Sequence, residues 1–225
     1  MRKYLIVNKN FFFKKKLKNS KEKKFFFISK KNNLNLKAIK KIKPDIIFFP
    51  HWSWKIKKTI LTKYNCIGFH STPLPFGRGG SPIQNMVLRG FKKTKICAFK
   101  ITSKFDSGSI YLKEDLDLNG DGHVIFEKMY VKIFKMIVSL SNHIPIPEAQ
   151  KGRIVIFKRL PKENSNLKKN LNLKMIYNLI RVLDTNDKNY LNAYVQLDKV
   201  KFSFTKAKFK RNKIEAKVII EKVNF

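Results

Sequence analysis

The apolar positions of this chain fall into short blocks with two different periods. YLIV (4–7), FFFIS (25–29) and PDIIFFP (44–50) are continuous apolar runs of strand length, the pattern of strands buried on both faces. Between them, NLNLKAIKKIK (33–43) puts Leu34, Leu36, Ile39 and Ile42 toward one side at helical spacing, and SWKIKKTILTKY (53–64) also reads as a helix. CIGFH (66–70) is the next strand. SPIQNMVLRG (81–90) predicts a helix with Ser81 at its N-cap, Pro82 at the first helical position and Gly90 at its C-terminal cap. This alternation predicts an α/β fold with a mostly parallel sheet covered on both faces. KICAFKIT (95–102) and SIYLKEDL (109–116), joined by the turn SKFDSG, predict an antiparallel pair that makes the sheet mixed. HVIFEKMYVKIFKMIVSL (123–140) is a long amphipathic helix. From about residue 144 the pattern turns extended and proline-punctuated, then gives a helix, LKMIYNLIRVLD (173–184), and an alternating β element over 195–225. The expected organisation is a core over residues 1–150 and a small extension over 151–225.

Charge adds a question. The formal net charge is +35, which alone suggests a nucleic-acid or anionic-surface partner. Yet only 7 of the 50 basic residues are arginine, the residue that reads phosphates and guanine edges. The lysines are spread along the chain beside Asn, Ile and Phe, which resembles a compositional drift. Such a field still attracts polyanionic small ligands. Cys66 and Cys97 form neither a disulfide framework nor a metal-ligand pattern, which fits a reducing cytoplasm. No apolar run approaches the roughly 20 residues that span a bilayer, and the lysine-rich stretch 14–24 reads as a solvated face. DLNGDG (117–122) echoes a calcium loop, but its twelfth position is Lys128 where a bidentate Glu is needed, so it reads as a turn before the long helix.

The chemistry concentrates in CIGFHSTPLPFGRGGSPIQN (66–85), which contains no lysine. His70 ends a predicted strand, and ligands of open α/β sheets bind beyond the carboxyl ends of the strands. Pro73, Pro75, Gly77, Gly79 and Gly80 shape a loop whose backbone can approach a ligand, and Arg78 is its fixed cation. Asp106 lies in the later turn FDSGSI. A histidine at a strand end and an aspartate on a neighbouring turn can form a proton-handling pair, although each alone is more often structural.

These residues resemble the folate-dependent formyltransferases. FHSTPLPFGRGGSPIQ, with DSGSI beginning 36 residues after the histidine, is similar to that family's Asn-x-His-x-Ser-Leu-Leu-Pro, Arg-Gly-x-x-Pro and Asp-x-Gly-x-Ile pattern. PDIIFFPHWSWKI, QKGRIVIFKRLPKENS, IYNLIRVLD and YLNAYV extend the likeness over roughly residues 40 to 205. The resemblance implies a Rossmann-like formyltransferase fold with a small C-terminal β element, which could pair subunits into a homodimer. It implies His70 and Asp106 as catalytic residues, with His70 polarising the formyl carbonyl and Asp106 orienting it and assisting proton transfer. It implies N10-formyltetrahydrofolate as co-substrate, without a metal, lined by Trp54 and Lys55 on one side and by Ile101, Thr102, Ser103, Lys104 and Phe105 on the other. Arg78, Gly79, Gly80 and Gln84 would face the acceptor.

One position departs from the pattern. The family's asparagine two residues before the histidine is Gly68 here, and losing such an oxyanion donor typically costs about 3 kcal/mol. A tRNA-formylating member should carry about a hundred further residues, whereas thirty follow YLNAYV. The acceptor expected on that ground is a nucleotide-linked amino sugar in surface-glycan biosynthesis, with no stable nucleic-acid partner and no membrane insertion. Two other readings stay open: a basic, tRNA-related nucleic-acid-binding protein on a formyltransferase-like scaffold, and a catalytically weakened relative.

Overall fold

The computed structural model describes residues 1–18, 23–167, 170–187 and 190–223, so residues 19–22 of the lysine-rich stretch and the last two of the C-terminal run lie outside the described residues. In chain order the elements are β1 (Lys3–Val7), α1 (Phe11–Leu17), β2 (Lys24–Ile28), α2 (Leu36–Ile42), β3 (Ile46–Phe49), α3 (Lys58–Leu61), β4 (Cys66–His70), β5 (Phe76–Gly79), α4 (Pro82–Leu88), β6 (Lys93–Lys100), β7 (Ile110–Asp117), α5 (Gly122–Asn142), β8 (Val155–Phe157), α6 (Leu173–Leu183), β9 (Ala193–Leu197), β10 (Val200–Lys210) and β11 (Lys213–Lys222). The chain divides into two compact units. One comprises Met1–Arg78, Lys95–Asp115 and Tyr130–Ile156; the other comprises Gly79–Thr94, Leu116–Met129 and Phe157–Phe225.

The main sheet has six strands in the order β2-β1-β3-β4-β6-β7. β1 pairs in parallel with β2 and β3, β3 pairs in parallel with β4, and β6 runs antiparallel to β4, so the sheet is mixed already at β4–β6, before the expected β6–β7 pair is reached. Continuous apolar strands suit this sheet because both faces are covered. Leu5, Val7, Ile47, Phe49 and Cys66 form one buried cluster with Ile39 of α2 and Ile60 of α3. On the opposite face Tyr4 stacks on Phe25 at 5.3 Å, and its hydroxyl donates to Ser141 O of α5 at 2.6 Å. Tyr130 of α5 stacks on Phe12 and meets Phe13 edge-on, which docks α1. The strand order reverses between β1 and β3, the kind of switch point beyond whose carboxyl strand ends open α/β sheets take ligands.

Four local features differ from the pattern reading. The helix expected over 53–64 is a single turn, Lys58–Leu61. The helix expected over 33–43 starts at Leu36, because Asn35 caps it by accepting from Ala38 N at 3.0 Å. The Phe-Lys run after residue 10, left without an element, is a helix capped by Asn10. Ser81 is not a side-chain cap: it sits in the left-handed region (φ 48°), and its hydroxyl instead accepts from Leu160 N at 3.0 Å and pairs with the Tyr190 hydroxyl.

In the second unit α6 is capped by Asn172, whose side chain accepts from Met175 N. Its buried residues include Leu179, Ile180, Val182 and Leu183. β9, β10 and β11 form a three-stranded antiparallel sheet with β10 in the centre and a register shift between Thr205 and Lys208. DLNGDG makes a turn: Lys128 donates to Asp117 Oδ2 at 2.7 Å and to Asn119 O, so the residue that spoils the calcium pattern neutralises the first aspartate. Among the described residues no helix is long and apolar enough to cross a membrane.

Candidate active site

His70 is the last residue of β4 and is 7% exposed. The loop after it folds back so that Gly77 O accepts from His70 Nε2 at 2.7 Å and from Thr72 Oγ1 at 3.2 Å. Gly77 takes a positive φ of 77°, which glycine tolerates without strain. With Nε2–H committed to this carbonyl, Nδ1 points the other way, and Asp106 Oδ2 lies 3.7 Å from it. That separation exceeds hydrogen-bond range, so imidazole and carboxylate face each other across a narrow gap. The bond that fixes the ring comes from Gly77 rather than from Asp106.

The Asp106 turn is held tightly from behind. Asp106 itself is left-handed (φ 46°). A Cβ added at Gly108 would lie 1.7 Å from Lys100 O, so the turn after Asp106 is pressed onto the end of β6 and requires glycine there. Gln150, which the pattern reading did not single out, donates from Nε2 to Asp106 O at 2.8 Å and to Gly108 O at 2.9 Å. Arg78 donates from both Nε and Nη2 to Gln150 Oε1, at 3.1 and 2.7 Å. The guanidinium expected to face the acceptor is thus engaged with a side chain of its own unit.

Gly68 faces Phe99 across β4 and β6. A Cβ at position 68 would lie 2.9 Å from Phe99 Cε1 and 3.0 Å from Ile101 Cγ1, so Phe99 fills the space where a side chain would project. Of the residues expected to line the folate, Ile101 is partly buried and packs on the same cluster as Trp52, while Ser103, Lys104 and Phe105 are exposed, Phe105 by 76%. Thr102 Oγ1 donates to Lys104 O and meets the Ser107 hydroxyl, which gives this loop its shape. Trp54 meets Trp52 edge-on at 4.6 Å between ring centroids, and Lys9 Nζ lies 3.7 Å over its ring. Lys55 is exposed. The indole Nε1 of Trp52 is buried without a hydrogen-bond partner among the described residues.

Gly79, Gly80 and Gln84 belong to the second unit. A Cβ at Gly79 would lie 2.4 Å from Phe157 O, and one at Gly80 2.6 Å from Arg159 Cα. These glycines let the loop lie directly against residues 157–159, which Asn85 also binds by donating to Lys158 O at 3.0 Å. Gln84 is 1% exposed, and its Nε2 has no partner among the described residues.

Residues 162–221 match the family model for the methionyl-tRNA formyltransferase C-terminal domain. Over 132 residues the chain is 30% identical to methionyl-tRNA formyltransferase of Rickettsia prowazekii (strain Madrid E), covering 54% of this chain and 43% of that protein. The chain spans less than half the length of such curated relatives. It is 36% identical to the solved methionyl-tRNA formyltransferase from Clostridium thermocellum, covering 99% of this chain and 100% of that one with a TM-score of 0.91.

The chain belongs to the formyltransferase family. A sugar N-formyltransferase from Shewanella sp. superimposes with a TM-score of 0.70 at 16% identity, over 91% of this chain and 97% of that one, a likeness of fold alone. The expectation of a nucleotide-sugar acceptor, of surface-glycan biosynthesis and of no nucleic-acid partner is therefore overturned: the C-terminal match and the full-length similarity both lead to formyltransferases named for methionyl-tRNA. That expectation counted only the residues after YLNAYV as a C-terminal domain. The matched segment begins at residue 162 and includes α6, β9, β10 and all but the last residue of β11.

Proposed function

We propose that this protein transfers the formyl group of N10-formyltetrahydrofolate to the amino group of methionyl-tRNA. The observation that carries the acceptor is the match of residues 162–221 to a domain named for that reaction. The folate reading is supported by the residues that follow β3 and β6. An edge-on tryptophan pair, a buried indole N–H without a partner among the described residues and the loop backbone of Ile101–Phe105 fit a flat heteroaromatic ring with polar edges.

The chemistry assigns distinct tasks to the two facing groups. The neutral amine attacks the formyl carbon, and a tetrahedral intermediate forms with negative charge on oxygen. In its doubly protonated, cationic form, the form in which Nδ1 also carries a proton, His70 would stabilise that oxygen, its ring held through the Nε2–H bond to Gly77 O. The Asp106 carboxylate would accept the proton that the attacking nitrogen sheds. The bond from the formyl carbon to folate N10 then breaks, N10 takes up a proton, and the new amide remains on the methionyl group. The net charge of +35 gives the lysine excess a partner, because an RNA acceptor is a polyanion whose binding weakens with salt.

The test is formylation of methionyl-tRNA by the purified protein with N10-formyltetrahydrofolate, followed as formyl-methionyl-tRNA. His70→Ala and Asp106→Asn should each lower turnover by about 10²–10⁴-fold while the fold survives. Turnover unchanged in either variant excludes the proposed centre.

A further inference from the structure

We infer that Gln150 is a positioning residue that holds the Asp106 carboxylate toward His70, and that Arg78 locks Gln150 in that task. The inference rests on the proposed role of His70 and Asp106 in formyl transfer. Asp106 occupies a left-handed conformation, φ 46°, which a non-glycine residue keeps only where its surroundings over-determine it. Two sets of contacts hold the turn around it. Gly108 presses against Lys100 O from one side. The Gln150 amide donates its two N–H bonds to Asp106 O and Gly108 O, the carbonyls on either side of Ser107. Gln150 lies beyond α5, two residues after Glu148, whose backbone exchanges hydrogen bonds with Ile110. This segment is therefore anchored to β7 and is not free to follow the turn if the turn moves.

The amide orientation is set from its other end. Both Arg78 donors converge on Gln150 Oε1, which leaves the NH2 group, and only that group, toward the turn. Arg78 follows Gly77, whose carbonyl fixes the imidazole. One chain of contacts thus runs from His70 through Gly77 to Arg78, then through Gln150 to Asp106. It locates both members of the facing pair relative to each other, although their side chains share no hydrogen bond. With 3.7 Å between Nδ1 and Oδ2, small movements of the turn change the gap by a large fraction, and misplacement by about 1 Å can cost 10²-fold in rate.

Gln150→Glu separates this role from packing. It keeps the shape and the partner of Arg78, but it removes both N–H donors and turns carboxylate oxygens toward two carbonyls. Gln150→Ala removes the amide altogether. In both variants kcat should fall by about 10–100-fold, KM for folate and for methionyl-tRNA should stay within about threefold, and the pH profile of kcat/KM should be displaced from that of wild type. A crystal structure of Gln150→Glu should show the gap between Nδ1 and Oδ2 widened beyond 3.7 Å. Kinetics and a pH profile that superimpose on wild type, or an unchanged gap, would overturn the inference. Absence of turnover in the wild type would sink the proposed function instead, and the crystallographic gap would still decide the role of Gln150.

Discussion

Phe99 occupies the volume into which a side chain at position 68 would project: the two residues are cross-strand partners, and a Cβ on Gly68 would approach Phe99 Cε1 to 2.9 Å. The position where the family pattern carries asparagine is packed shut. Introducing an amide there forces Phe99, which is 5% exposed, out of a tight core. Gly68→Asn should destabilise the protein by about 1–3 kcal/mol in urea unfolding and should not raise formylation. Unchanged stability, or faster turnover, in Gly68→Asn would mean that Phe99 does not fill the position.

Cys66 and Cys97 are both buried in the main sheet. Burial pushes the Cys66 thiol up to about 12 and raises Cys97 as well, and the thiolate is the reactive form. Neither should react with a disulfide reagent in the native protein at neutral pH, and both should react at once in denaturant. Thiol titration before and after unfolding checks this; rapid native labelling of Cys66 would contradict its placement in the cluster under β3 and β4.

Asp121 sits just before α5 with His123 and Asp184, their side-chain ligand atoms all within 4.8 Å of one another. Burial, then the neighbouring Asp184 charge, raises the Asp121 carboxyl above its ordinary value, against opposing effects of His123 and Arg181. A raised carboxyl binds its proton more tightly in the folded state, so its contribution to stability is present in acid and lost as pH climbs through the raised value. At neutral pH the ionised group is a net burden. Asparagine suits a helix start as well as aspartate does. Asp121→Asn should therefore raise the midpoint of thermal unfolding at pH 7, and the gain should shrink below the ordinary carboxylate range. Equal or lower stability at pH 7 would contradict the assigned environment.

Much of the core was legible because it rests on local apolar runs. YLIV, IIFF and CIGFH read as buried strands, and the sheet buries them on both faces. His70 was legible because it ends β4, and Asp106 because it sits in the turn between β6, the neighbour of β4, and β7. What escaped depends on contacts between distant residues. Nothing local marks Gln150, whose importance lies in carbonyls 42 and 44 positions away. The glycines at 79 and 80 promised an approach to ligand, but what approaches them is the backbone of residues 157–159. The expectation about the acceptor weighed only the thirty residues after YLNAYV against the length of a tRNA-type domain, whereas the matched segment takes in most of the 151–225 extension, its helix included.

Formation of formyl-methionyl-tRNA is the most direct measurement. Wild-type protein supplied with N10-formyltetrahydrofolate should generate it, and Asp106→Asn, with an unchanged unfolding midpoint, should not at a comparable rate. No product from the wild type, or equal product from the Asp106→Asn variant, would contradict the account.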